Sequence, residues 1–87
     1  MRKNNKYENL ILNFLASSPI SSEYFMRGWE QCDVISWFDI FIALENEFNI
    51  SFSHDEIAHY YEPKNLSAEK IAEIVLNKMS KSVFEEN

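Results

Sequence analysis

Apolar residues of the first segment fall at Tyr7, Leu10, Ile11, Phe14 and Leu15, the i, i+3, i+4, i+7, i+8 recurrence that lines one side of a helix. The spacing predicts a first helix near residues 4–16. Pro19, within Ser17-Ser18-Pro19-Ile20-Ser21-Ser22, stops it: proline cannot continue the hydrogen-bond ladder, and serine side chains compete for backbone groups. The stretch that follows, to about Cys32, has no sustained period yet carries Tyr24, Phe25, Met26 and Trp29. It reads as a long ordered loop packed across the helices, with room for a short helical turn.

From Val34 the periodicity returns. On a wheel of about 100° per residue, Val34, Ile35, Trp37, Phe38, Phe41, Ile42, Leu44 and Phe48 cover a broad apolar arc. Ser36, Asp39, Ala43, Asn46 and Glu47 lie opposite, and Glu45 is the one acid inside the arc. A second helix is predicted over 33–48, stopped at Asn49, a residue that tolerates the left-handed conformation of a helix end. Ser53-His54-Asp55-Glu56 has the form of a capping box, with Phe52 and Ile57 at the staple positions, so a short third helix begins at His54 and ends before Pro63. Ser67 caps a fourth helix, with Leu66 and Ile71 as its staple and Ala68, Ile71, Ala72, Val75 and Met79 as its buried stripe. The tail from Lys81 to Asn87 is expected to fray. The expected fold is all-α: a four-helix bundle over residues 1–87, a single domain with a long loop between helices one and two.

Composition agrees with that class. One glycine and two prolines leave few hairpin signals, and 46% hydrophobic residues with 13 aromatics can fill a core. The single Cys32 excludes an intrachain disulfide, and with only two histidines there is no metal-ligand spacing of zinc type. No apolar run approaches the ~20 residues of a membrane span, and the residues after Met1-Arg2-Lys3 do not form a signal peptide. A cytoplasmic monomer is the expectation.

The net charge of −6 is unevenly spread. Residues 23–62 hold nine acids and one base, Arg27, a local charge of −8. Such a field repels phosphate backbones and anionic lipid, which argues against nucleic-acid and membrane partners and steers the domain toward basic protein patches.

Asp33-Val34-Ile35, followed at a fixed interval by Ala43-Leu44-Glu45-Asn46-Glu47-Phe48-Asn49-Ile50, resembles the acyl carrier protein family, with its peptidyl and D-alanyl carrier relatives. That family typically shows Asp-Ser-Leu and then Ala-Leu-Glu-Glu-Glu-Phe-x-Ile, at the same spacing. Leu66-Ser67-Ala68-Glu69-Lys70-Ile71-Ala72-Glu73-Ile74-Val75 is similar to the family's closing helix, and the segment with Tyr60 and Tyr61 is a few residues longer than in its shortest members. The resemblance implies a non-catalytic domain of fatty acid, polyketide or related biosynthesis. It would dock on basic patches of partner enzymes through its second helix, with Asp33, Asp39, Glu45 and Glu47 as docking acids. A plain solvated helix face is the alternative use of those acids.

The chain departs from the family at the attachment point. The serine that carries phosphopantetheine is replaced by Val34, which has no hydroxyl to form the phosphodiester. No cofactor is therefore expected unless Ser36 serves as the attachment site, or unless Val34 is an engineered loss of serine. The simpler reading of Ser36 is a capping box with Asp39, stapled by Ile35 and Ile40, that starts the helix late with Ser36 on its polar side. A small helical adaptor or inhibitor unrelated to carriers also fits the pattern. His54 and His59, five apart, suit cap and surface roles better than a metal or acid–base site. Cys32 reads as a small buried side chain, having no adjacent His or Lys to activate it. Trp29, Trp37, Tyr60 and Tyr61 fit either core packing or an acyl-binding or protein-binding surface.

Overall fold

The structure, a computed structural model, describes residues 6–61 and 67–86, the last six of these as helical backbone only. It is all-helical, with no strand among the described residues. The elements are α1 (Lys6–Ser17), α2 (Ser22–Arg27), a 3-10 turn (Trp29–Gln31), α3 (Val34–Phe48), α4 (His54–Tyr60) and α5 (Ala68–Glu86). The predicted helices one, two, three and four correspond to α1, α3, α4 and α5.

The expected long loop is largely helical: α2 and the 3-10 turn fill it. Ser21, the residue before α2, is buried because its hydroxyl donates to the Leu15 carbonyl at 2.6 Å, folding α2 back on the end of α1. Gly28, at φ 126°, then turns the chain into the 3-10 segment, where a Cβ would lie 2.8 Å from the Glu30 carboxylate. The helix ends follow local chemistry. The Ser53 hydroxyl accepts the Glu56 amide at 3.1 Å while the Glu56 carboxylate accepts the Ser53 amide at 2.8 Å, the reciprocal box that opens α4. The Ser67 hydroxyl accepts the Lys70 amide at 3.0 Å to open α5. Leu66, the expected staple partner there, lies outside the described residues. Asn49 closes α3 in the left-handed region, at φ 57° and ψ 50°. α5 continues as helix to Glu86, through the stretch where fraying is expected.

One core joins every long element. Ile11 and Leu15 of α1 meet the Ile71, Ala72 and Val75 side of α5, and Trp37, Ile40, Phe41 and Leu44 of α3 supply its centre. Phe52 and Ile57 cover it from the α3–α4 connection and α4. The rotation of α3 differs from the expected arc. Ile40 is buried, Phe38 and Phe48 are half-buried, and Val34, Ile35 and Ile42 are exposed. Two polar contacts set that rotation. The Trp37 indole N–H donates to the Ile57 carbonyl at 2.9 Å inside the core, and Glu45 reaches out of the helix to accept the Phe52 amide at 2.7 Å.

Candidate functional site

The expected attachment and docking positions, Asp33, Val34, Ser36, Asp39, Glu45 and Glu47, all lie on α3 or at its N-cap. Asp33 is the N-cap, with extended backbone at φ −83° and ψ 169°, and Val34 is already helical. The expected late start at a Ser36–Asp39 capping box does not occur, because Asp33 takes the cap three residues earlier. The Ser36 hydroxyl is the largest cause holding the Asp33 carboxyl below the ordinary carboxylate range, and first-turn amides add to it; no side-chain capping bond of full geometry closes there. Ser36 also accepts the Tyr24 hydroxyl at 3.2 Å. Ser36 is thus half-buried on the α2 side rather than free on a polar face.

Val34, by contrast, is 43% exposed on the first turn. Its branched side chain presents carbon only, so it offers neither nucleophile nor attachment atom. The four acids do not form one cluster. Asp33 and Asp39 are exposed, and Glu47 is exposed about 80° around the helix from Asp39. Glu45 is half-buried on the other flank, its carboxylate engaged with the Phe52 amide. Glu45 therefore orders the α3–α4 connection through an intramolecular bond.

Around this helix the aromatic residues serve the interior. Trp29 and Trp37 are buried, and Tyr60 and Tyr61 are half-buried. Trp37 lies 4.9 Å from Phe41 and 5.8 Å from Tyr61, ring centre to ring centre, and Phe41 stacks on Tyr60 at 6.2 Å. The Tyr61 hydroxyl donates to the Cys32 carbonyl at 2.6 Å, fastening the chain after α4 to the approach of α3. Cys32 is buried, and burial, followed by the Asp33 charge, pushes its thiol up to about 11, so it is protonated and unreactive near neutrality. His54 and His59 are exposed and face different rings: His54 meets Phe38 at 5.8 Å and His59 meets Tyr60 at 5.9 Å. Among the described residues no group of three or more His, Cys, Asp or Glu side chains could hold a metal ion, and no helix is long and apolar enough to cross a membrane.

Compared with family models, curated proteins and solved structures, the chain matches none.

Two features escaped the sequence pattern. Tyr24, within a stretch without period, carries a hydroxyl that reaches Ser36, and nothing in its spacing signals this. Ile35 and Ile42 belong to the apolar arc by composition yet stand 69% and 48% exposed.

Proposed function

We propose that the protein is a carrier-like four-helix domain, built on α1, α3, α4 and α5 with α2 in the long connection. It has no catalytic activity of its own and works by docking on basic patches of partner enzymes in a biosynthetic or acyl-transfer system. α3 is the docking helix, with Asp33 and Asp39 as its outward acids and Glu47 on its flank. The domain works without phosphopantetheine. The observation that carries this reading is the pair Val34 and Ser36: the family's attachment position is an exposed valine, whereas the neighbouring serine is half-buried and accepts the Tyr24 hydroxyl. A transferase needs the hydroxyl in line with the coenzyme A pyrophosphate, and loss of near-attack geometry removes orders of magnitude in rate.

The test is intact mass after treatment with coenzyme A and a broad-specificity phosphopantetheinyl transferase. Wild type stays unmodified, and Val34→Ser gains the prosthetic group, because Asp33 and Ile35 already flank that position as in the family. If wild type gains the group and Ser36→Ala does not, the chain is a working carrier and the proposal fails. If Val34→Ser also stays unmodified, the carrier-like reading of α3 falls.

A further inference from the structure

α2 stands apart from the other helices in how little holds it down. None of its six side chains is buried, and only Ser22 and Tyr24 are half-buried; Glu23, Phe25, Met26 and Arg27 are exposed. A helix of this length does not persist in water without tertiary support. Its ion pair, Arg27 to Glu23 at 3.5 Å, is exposed and lies within α2, so it adds no tie to the rest of the protein. Among its apolar side chains Tyr24 alone packs against the core. The Tyr24 ring centre lies 6.1 Å from that of Trp29, and its hydroxyl donates to Ser36 Oγ at 3.2 Å. Both ends of the segment are fixed independently of that side chain. Ser21 is buried and bonded to the Leu15 carbonyl, and Trp29 is buried just past Gly28, whose φ of 126° lets the chain change direction.

We infer that α2 is a strap, held shut by Tyr24, that opens between Ser21 and Trp29 while the rest of the core stays folded, and so gates access to Ser36. Such a device is independent of the docking function: the strap opens whether or not α3 meets a partner. Opening breaks little. It costs the Tyr24–Trp29 ring contact and the Tyr24–Ser36 bond, and it takes no fully buried side chain out of the core that α1, α3 and α5 build. Because Ser21 and Trp29 already anchor the ends, the open segment 22–28 is a short loop whose closure costs little further entropy. Its released amides and carbonyls meet water at once, since α2 lies at the surface. Elements with few buried contacts and a solvent-facing backbone occupy the low end of a protein's local stabilities. Ser36 is half-buried with the Tyr24 hydroxyl on its Oγ, so withdrawal of Tyr24 uncovers the first turn of α3 at that serine.

Amide hydrogen exchange of the full chain, 15N-labelled, over a series of low urea concentrations tests the strap. The Phe25 and Gly28 amides donate to the Ser21 and Tyr24 carbonyls. They are expected to be at least about a hundredfold less protected than those of Phe41 and Leu44, with a weaker urea dependence. Tyr24→Phe keeps the ring and removes the donor, so it should speed the Phe25 and Gly28 amides by about two- to tenfold, as loss of one hydrogen bond implies. Ile71→Val, a mild change at a fully buried position of α5, should speed the Phe41 and Leu44 amides and leave the α2 pair untouched, because its contacts survive in the open state. Access to position 36 is read from the thiol of Ser36→Cys, with labelling assigned by peptide mass. It should label several-fold more slowly in the native protein than in denaturant; Tyr24→Ala should remove most of that protection, and Ile71→Val should not. Exchange of Phe25 and Gly28 in step with the core would overturn the inference. So would equal acceleration of both sets by Ile71→Val, no response of the α2 pair to Tyr24→Phe, or labelling of Ser36→Cys at the denatured rate.

Discussion

Phe41 and Ile42 are neighbours in sequence, both apolar and both inside the same predicted arc, yet the structure gives them opposite environments. Phe41 is fully buried, its ring centre 4.9 Å from that of Trp37, 5.1 Å from Phe52 and 6.2 Å from Tyr60, whereas Ile42 is exposed. Phe41→Ala withdraws the ring common to three aromatic contacts and leaves a cavity between α3 and α4. Such a change costs about 3–5 kcal/mol. At ~0.05–0.15 kcal/mol per residue, an 87-residue domain has only about 4–13 kcal/mol in total. At ~4–8 °C per kcal/mol for a domain of this size, Phe41→Ala lowers the melting temperature by at least about 12 °C. Ile42→Ala removes exposed surface and shifts stability by about 0.5 kcal/mol or less. Urea and thermal unfolding, followed by circular dichroism for wild type and both variants, measure the contrast. If Ile42→Ala destabilises as much as Phe41→Ala, the inward side of α3 is not the one that Trp37, Ile40, Phe41 and Leu44 define.

Cys32 in the native protein at pH 8 should react with a thiol reagent far more slowly than in denaturant, since its thiol is buried and pushed up to about 11; rapid native labelling would contradict that environment. Lys78 donates to Glu56 at 2.8 Å, and this bond is the main cause holding the Glu56 carboxyl below the ordinary range. The folded state therefore binds fewer protons than the unfolded chain at acid pH, and the stability this contact adds is present above the unfolded carboxylate value and lost as pH falls through the folded one. Urea midpoints of wild type and Glu56→Gln should differ at pH 6 and converge toward pH 3, and a gap that stays constant with pH would refute the linkage. Ser53→Ala removes one half of the α4 capping box and should destabilise by about 1 kcal/mol, read as a shift in urea midpoint with unchanged slope.

Three features governed by residues a few positions apart were legible in the sequence, whereas the equally local Ser36–Asp39 box gave way to the Asp33 cap. The Ser53–Glu56 box, the Ser67 cap and the left-handed Asn49 each need only local partners, and each occurs where the spacing puts it. α2 was harder to see, because six residues between serines and Gly28 cannot display a helical period and its position depends on the Ser21 bond to Leu15. The rotation of α3 was not legible at all. Nine large apolar residues in a fifteen-residue helix cover more than half the wheel, so periodicity fixes the helix but not its inward side. That choice rests on contacts across the chain, Trp37 to Ile57 and Glu45 to Phe52, 20 and 7 positions apart. The candidate site inherits the same limit. Asp33, Val34 and Asp39 are exposed, as a surface role requires, while Ser36 and Glu45 are engaged by partners that no local pattern reveals.

The pairing of α1 with α5 also sets a timetable for synthesis. α1 ends at Ser17 and α5 begins at Ala68, so at about 5–20 residues per second the ribosome takes roughly 3–10 s to pass from one to the other. Throughout that interval Ile11 and Leu15 lack the helix that covers them in the finished fold. The element made next is α2, which the Ser21 hydroxyl turns back onto the Leu15 carbonyl. It gives the nascent α1 a provisional neighbour within a few residues of its own completion, well before α3 and α5 exist to bury it.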